Sequence, residues 1–163
     1  LGVTGAMGQK SAAARGLREK EFPQASAIGP FFRYSGALLA EARAKFGKIT
    51  EALAILRWAI ESITEPGVGL FVPELYRQQG VCLLHLDSGN QEEALASLRR
   101  AAEIAKQQHA LLFELKATIS LASALSSLGQ PDEGRQALRE LCADLPPEFD
   151  ASELEEAKRI LSN

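Results

Sequence analysis

Gly2, Gly5 and Gly8 run up to Gln9-Lys10-Ser11, a succession close to the ending of a phosphate-cradling loop. That chemistry requires glycine directly before the lysine, so that backbone amides and the ammonium converge on one phosphate. Gln9 stands in that place and no strand precedes it, so the segment reads as the entry to a helix. Cys82 and His85 lie three residues apart, on one helical face. A thiol–imidazole couple also needs a third, orienting group and an oxyanion site, and no nearby residue suggests either. His85 beside Asp87 fits a helix end, where a cation offsets the dipole. His109, the only other histidine, belongs to another segment, and neither has a second ligand at HExxH-type spacing. Glu92-Glu93 and Glu155-Glu156 are expected on solvated helix faces. These residues predict no catalytic constellation, no metal set and no cofactor.

The elements that would position such groups are predicted to be helices. Alanine (26) and leucine (24) dominate the 163 residues, against 8 Ile, 4 Val and 4 Thr. Ala and Leu lose little side-chain freedom in a helix, whereas β-branched residues lose more. Strand runs rich in Val and Ile, as a parallel sheet needs, are missing. Hydrophobic content of 46% with 24% charge excludes a disordered chain. No apolar run reaches the roughly 18 residues of a membrane span, and a soluble chain is expected. A net charge of −3, with acids close to both basic doublets (Arg99-Arg100, Lys158-Arg159), argues against a nucleic-acid partner. Cys82 and Cys142 are too few for a disulfide framework and predict a reducing, cytoplasmic setting.

Breakers divide the chain into about eight helices. The first is expected over Gln9–Lys20, before Phe22-Pro23. The next runs from Gly29-Pro30 to the approach of Gly47, and the third over Ile49–Thr64, stopped by Glu65-Pro66-Gly67. The fourth begins near Leu70 and ends at Asp87-Ser88-Gly89-Asn90, where Asn90 with Glu93 suits a capping box. The fifth ends in the Lys106–His109 seam, and the sixth spans about Ala110 to Leu128 before Gly129. Pro131-Asp132-Glu133 opens the seventh, which Leu145-Pro146-Pro147 breaks. Asp150 is expected to cap a last helix over 151–162.

Within this order a pattern repeats. Small residues at Ala52, Ala94 and Gly134 are each followed four residues later by leucine (Leu56, Leu98, Leu138) and seven later by Ala59, Ala101 and Leu141. Turn glycines stand five residues ahead, at Gly47, Gly89 and Gly129. Upstream come Leu39-Ala40, Gln79-Gly80 and Leu121-Ala122, followed three residues on by Arg43, Leu83 and Leu125, where the arginine breaks the pattern. Small residues at Ala40, Gly80 and Ala122 would let the first helix of each pair approach the second. A lone hairpin cannot bury its apolar face, so the pairs must stack. The repeat pairs are expected at roughly 29–64, 70–107 and 110–144, within one domain covering 1–163.

The arrangement resembles the tetratricopeptide repeat, with a period of 42 then 40 residues against about 34 in the standard form. Of the aromatic positions only Tyr76 keeps a ring. Pro73–Gly80, Glu92-Glu93-Ala94, Ala102–Ala105 and Glu148–Lys158 resemble the C-terminal repeat region of large bacterial signalling proteins. In those, a class III adenylate/guanylate cyclase or DNA-binding domain precedes an AAA-like ATPase. The resemblance implies a right-handed α-solenoid of stacked antiparallel helix pairs, acting as a non-catalytic scaffold in the C-terminal part of a larger protein. Leu1–Gly8, with no initiator Met and no leader layout, fits such a fragment.

First helices of stacked pairs line a concave face. By register this face presents Tyr34, Glu41, Lys45, Glu74, Arg77, His85 and Lys116, to a protein, a peptide or upstream domains; the alternative is that they simply face solvent. A chaperone-tail clamp would need paired asparagines, and only Asn90 and Asn163 occur. A second function also fits, a ligand-sensing domain that regulates an attached enzyme. Phe31, Phe32 and Tyr34 suit hairpin packing. Ala13, Leu17 and Lys20 echo Ala52, Leu56 and Ala59, so the helix over 9–20 is expected to leave an apolar strip that invites a homodimer.

Overall fold

Proline and glycine punctuation sets most of the element boundaries. The structure, a computed structural model, describes residues 29–63, 69–86 and 88–162. They form α1 (Gly29–Lys45), α2 (Ile49–Glu61), α3 (Val72–Leu84), α4 (Gln91–Gln107), α5 (Leu111–Ser127), α6 (Pro131–Asp144) and α7 (Glu153–Ser162), with a 3-10 turn at Ser88–Asn90. The chain is all-α: no strand occurs among the described residues. The count there is seven helices, not about eight. The helix expected over Gln9–Lys20, and the dimer seam assigned to it, lie outside the described residues.

Three turns share one device. Lys48, Ala110 and Gln130 each donate a backbone N–H five residues back, to the carbonyls of Arg43 (2.9 Å), Ala105 (2.9 Å) and Leu125 (2.8 Å). This wrap needs a left-handed residue just before the donor. Gly47 (φ 74°) and Gly129 (φ 78°) supply it, and between α4 and α5 His109 does so at φ 53°. Gly89 departs from expectation and sits inside the 3-10 turn.

Two helix starts differ from expectation. Asn90 precedes α4 without a side-chain cap bond. Glu93 reaches across to Arg57 on α2, at 3.3 Å. At the last helix, tight bonds from Leu154 N to Ala151 O (3.0 Å) and Glu155 N to Ser152 O (3.3 Å) move the start from 151 to Glu153. Likewise α2 ends at Glu61 rather than Thr64, and α3 starts at Val72 rather than Leu70. Leu145, before Pro146, is extended (ψ 139°) and ends α6, as the steric clash with a following proline demands.

Every helix packs on the next in sequence, and α1–α3, α3–α5 and α5–α7 also touch. No Cα of α2 comes within 8 Å of α4, nor any of α4 within 8 Å of α6. The odd helices therefore form a continuous row, with the even helices spaced apart beside it. The small-residue rule governs this packing. Ala40, Ala52 and Ala94 are fully buried, as are Leu56, Leu98 and Leu138. Gly80 and Gly134 lie so close to neighbouring helices that a Cβ on either would meet atoms at 2.6 Å. Arg43, which interrupts the leucine column, is half-buried and bonds Glu51 across the α1–α2 turn at 2.7 Å.

Candidate functional site

Pro73 stands in the first turn of α3 with φ already fixed for a helix, and Glu74 follows it there, where the dipole favours a carboxylate. Arg77 stands three residues on, on the same face. Its Nε and Nη2 donate to the two Glu74 carboxylate oxygens at 2.8 and 2.7 Å. This two-pronged geometry is among the stronger charge-assisted contacts. The third guanidinium nitrogen, Nη1, crosses to α5 and donates to Ser120 Oγ at 3.2 Å. Gln78 Nε2 also donates to Glu74, at 2.9 Å.

Both charges are largely covered, with 21% of the Arg77 side chain and 12% of that of Glu74 exposed. Burial alone would push the Glu74 carboxyl up, but the Arg77 hydrogen bonds and charge, aided by Gln78 and Lys116, bring it below its ordinary value. Arg77 in turn is raised: burial opposes its charge, and Glu74 outweighs that effect. The pair is a fixed polar anchor that ties α3 to α5.

Two adjoining cavities open beside it on the odd-helix row. One, of about 580 Å³, lies among α3, α5 and α7; its wall includes Arg77, His85, Lys116, Ser120, Ser123 and Glu153. The other, of about 530 Å³, lies between α1 and α3 and is lined by Glu41, Lys45, Gln78, Cys82 and His85 among others. Arg77, Val81 and His85 border both. Glu41 and Lys45 pair with each other on α1 at 2.7 Å. Lys116 approaches Glu153 on α7 at 3.7 Å.

The residues assigned from register thus converge. Glu41, Lys45, Arg77, His85 and Lys116 line the two cavities, and Glu74 lies behind Arg77 as its tether. The Tyr34 side chain, with those of Phe31 and Phe32, lies outside the described residues. His85 is exposed and ends α3, its N–H bonded to the Cys82 carbonyl at 3.2 Å. Reading by register missed Val81, Gln78, the hydroxyls Ser120, Ser123 and Ser127, and Glu153. The hydroxyl row was detectable, because spacings of three and four residues place all three serines on one face of α5.

The chemistry offered is that of polar recognition. Burial pushes the Cys82 thiol up, partly offset by Arg77, which disfavours a thiolate nucleophile beside His85. Burial also raises the Cys142 thiol. Among the described residues no group of three or more His, Cys, Asp or Glu gathers as a metal set. No helix there is long and apolar enough to cross a membrane. No protein-family model matches the sequence, and no curated protein matches it.

Proposed function

We propose that the chain is a non-catalytic interaction module, a right-handed solenoid of stacked helix pairs similar to tetratricopeptide repeats. Its odd-helix face receives an extended peptide segment of a partner or of a neighbouring domain. The observation that carries this reading is the pair of cavities adjoining along α1, α3, α5 and α7, with Arg77 and His85 shared between them. Odd helices that touch while even helices stand apart support reading the stack as bent toward its odd side, and such curvature would make a concave groove. Paired charges of both signs at Glu41–Lys45 and Lys116–Glu153 suit a segment carrying both signs. Such a module belongs with a larger cytoplasmic signalling protein, where free Cys82 and Cys142 remain reduced.

A second reading is a small-ligand sensor, favoured by the two volumes, which fall in the range of small-molecule pockets. Calorimetry of the whole chain against peptide and metabolite libraries separates the two. The interaction reading expects peptide binding that weakens at least tenfold when Lys45 and Lys116 are both changed to Glu. Metabolite binding without peptide binding transfers the assignment to the sensor, and turnover of a substrate by the chain overturns both.

A further inference from the structure

Successive even helices are joined by an ion pair that repeats in register. Arg57 stands five residues after the small Ala52 of α2, and Glu93 stands one residue before the small Ala94 of α4; they meet at 3.3 Å. Arg99, five after Ala94, meets Glu133, one before Gly134 of α6, at 2.6 Å. The two pairs occupy equivalent places, and all four side chains are about half exposed, between 50% and 53%. They span the side of the stack where the even helices keep their Cα atoms more than 8 Å apart. The odd helices are in direct contact on the opposite side. Each even helix also packs on the odd helix between it and the next, and a bond across the wider side adds to that packing in biasing how far apart the even helices stand.

We propose that Arg57–Glu93 and Arg99–Glu133 are struts that set the curvature of the helix stack and make it responsive to ionic strength. The proposal rests on reading the stack as bent toward its odd-helix groove, whose width would follow that curvature. Exposed ion pairs contribute little to folding stability and are screened by salt. Their effect is therefore on the preferred spacing of the even helices rather than on whether the chain folds. Arg139, five residues after Gly134, holds the third equivalent place; its hydrogen bond runs to Gln136 on its own helix, at 3.4 Å. It bridges no pair of even helices and serves as an internal control.

The test is pulsed dipolar spectroscopy on the full chain with Cys142→Ser, carrying nitroxides at Thr50→Cys and Glu92→Cys, exposed sites each two residues before the small residue of α2 and α4. Arg57→Glu should lengthen the mean distance by about 1–2 Å, the scale of helix shifts at interfaces. High salt should lengthen it similarly in the parent chain. Adding Glu93→Arg to Arg57→Glu should restore the parent distance, and Arg139→Glu should leave it unchanged. Circular dichroism confirms that each variant is folded. A distance that ignores both charge reversal and salt overturns the struts, as does an equal response to Arg139→Glu. The distance is read without any ligand, so the outcome is separate from whether the groove binds peptide.

Discussion

Gly134 on α6 lies against Ala122 on α5 so closely that a Cβ built on the glycine would fall 2.6 Å from the Ala122 Cα and 3.2 Å from its carbonyl oxygen. Backbone cannot rotate away as a side-chain tip can, so Gly134→Ala must separate the two helices. The expected loss is about 1–3 kcal/mol, the usual scale of overpacking. Gly80→Ala should behave alike, since its Cβ would meet the Leu98 Cγ at 2.6 Å and the Ala94 carbonyl oxygen at 2.9 Å. Gly36→Ala is the contrast. Its Cβ would rest 3.5 Å from the Ala59 Cβ, an ordinary contact, and an alanine inside a helix should add about 0.5–1 kcal/mol. Urea denaturation of the three variants checks the opposite signs.

Leu56, Leu98 and Leu138 hold one register position in three successive pairs and are all fully buried. Each Leu→Ala change should cost about 2–5 kcal/mol through lost burial and a residual cavity. Leu141, three residues beyond Leu138, is only half-buried and should cost less when truncated. Thermal unfolding followed by circular dichroism measures both. A surface-like loss of a few tenths at any of the first three would break the equivalence of the pairs.

These packing positions were legible because they depend on spacing along a single helix. A small residue followed four later by leucine lies on one stripe wherever the helix goes, and α2, α4 and α6 obey that rule. The polar links were not legible in the same way. Glu93 has capping-box spacing from Asn90, and its side chain meets Arg57, 36 residues earlier. Arg77 meets Ser120 across 43 residues. Which charges meet depends on how neighbouring helices are rotated and spaced, and one helix's periodicity does not encode that. Glu41, Lys45, Arg77, His85 and Lys116, chosen by helical register, line the two adjoining cavities, because residues three, four and seven apart on one helix share a face.

His109 occupies a left-handed conformation, φ 53°, in the turn between α4 and α5. A residue with a Cβ is strained there by about 1–2 kcal/mol, whereas glycine is not. His109→Gly should therefore raise stability, by about 1 kcal/mol after the entropy that glycine adds to the unfolded chain. Gly129→Ala, at φ 78° in the equivalent wrap after α5, should lower it by a similar amount. Equal melting temperatures for His109→Gly and the parent chain would count against strain at this turn.

Arg77 and Glu74 should show strong coupling in a double-mutant cycle. Replacing Arg77 alone with Leu leaves a Glu74 carboxylate only 12% exposed without its main partner, and such uncompensated charge is costly. Changing both to Leu removes the demand for pairing, so the double variant should be more stable than Arg77→Leu alone. A double variant whose loss equals the sum of the two single losses would show that the pair does not act as a unit.

Glu74 and Glu114 predict opposite pH dependence. The net effect of burial, Arg77, Gln78 and Lys116 lowers the Glu74 carboxyl below 4.5. Ionised Glu74 therefore stabilises the fold above its unfolded value, and that contribution is lost as pH falls through the depressed folded value. Glu114 is raised above 4.5, by burial and then by Asp144, against the opposing pull of Lys106 and His109. Its ionisation disfavours the folded chain, so the penalty is present at neutral pH and disappears as pH falls below the unfolded value. Glu74→Gln should lower stability at pH 7 and approach the parent chain at acid pH. Glu114→Gln should raise stability at pH 7 and likewise converge with the parent at acid pH. Urea unfolding between pH 3 and 7 reads both differences, and the same sign for the two variants at pH 7 would refute the assignment of these carboxylates.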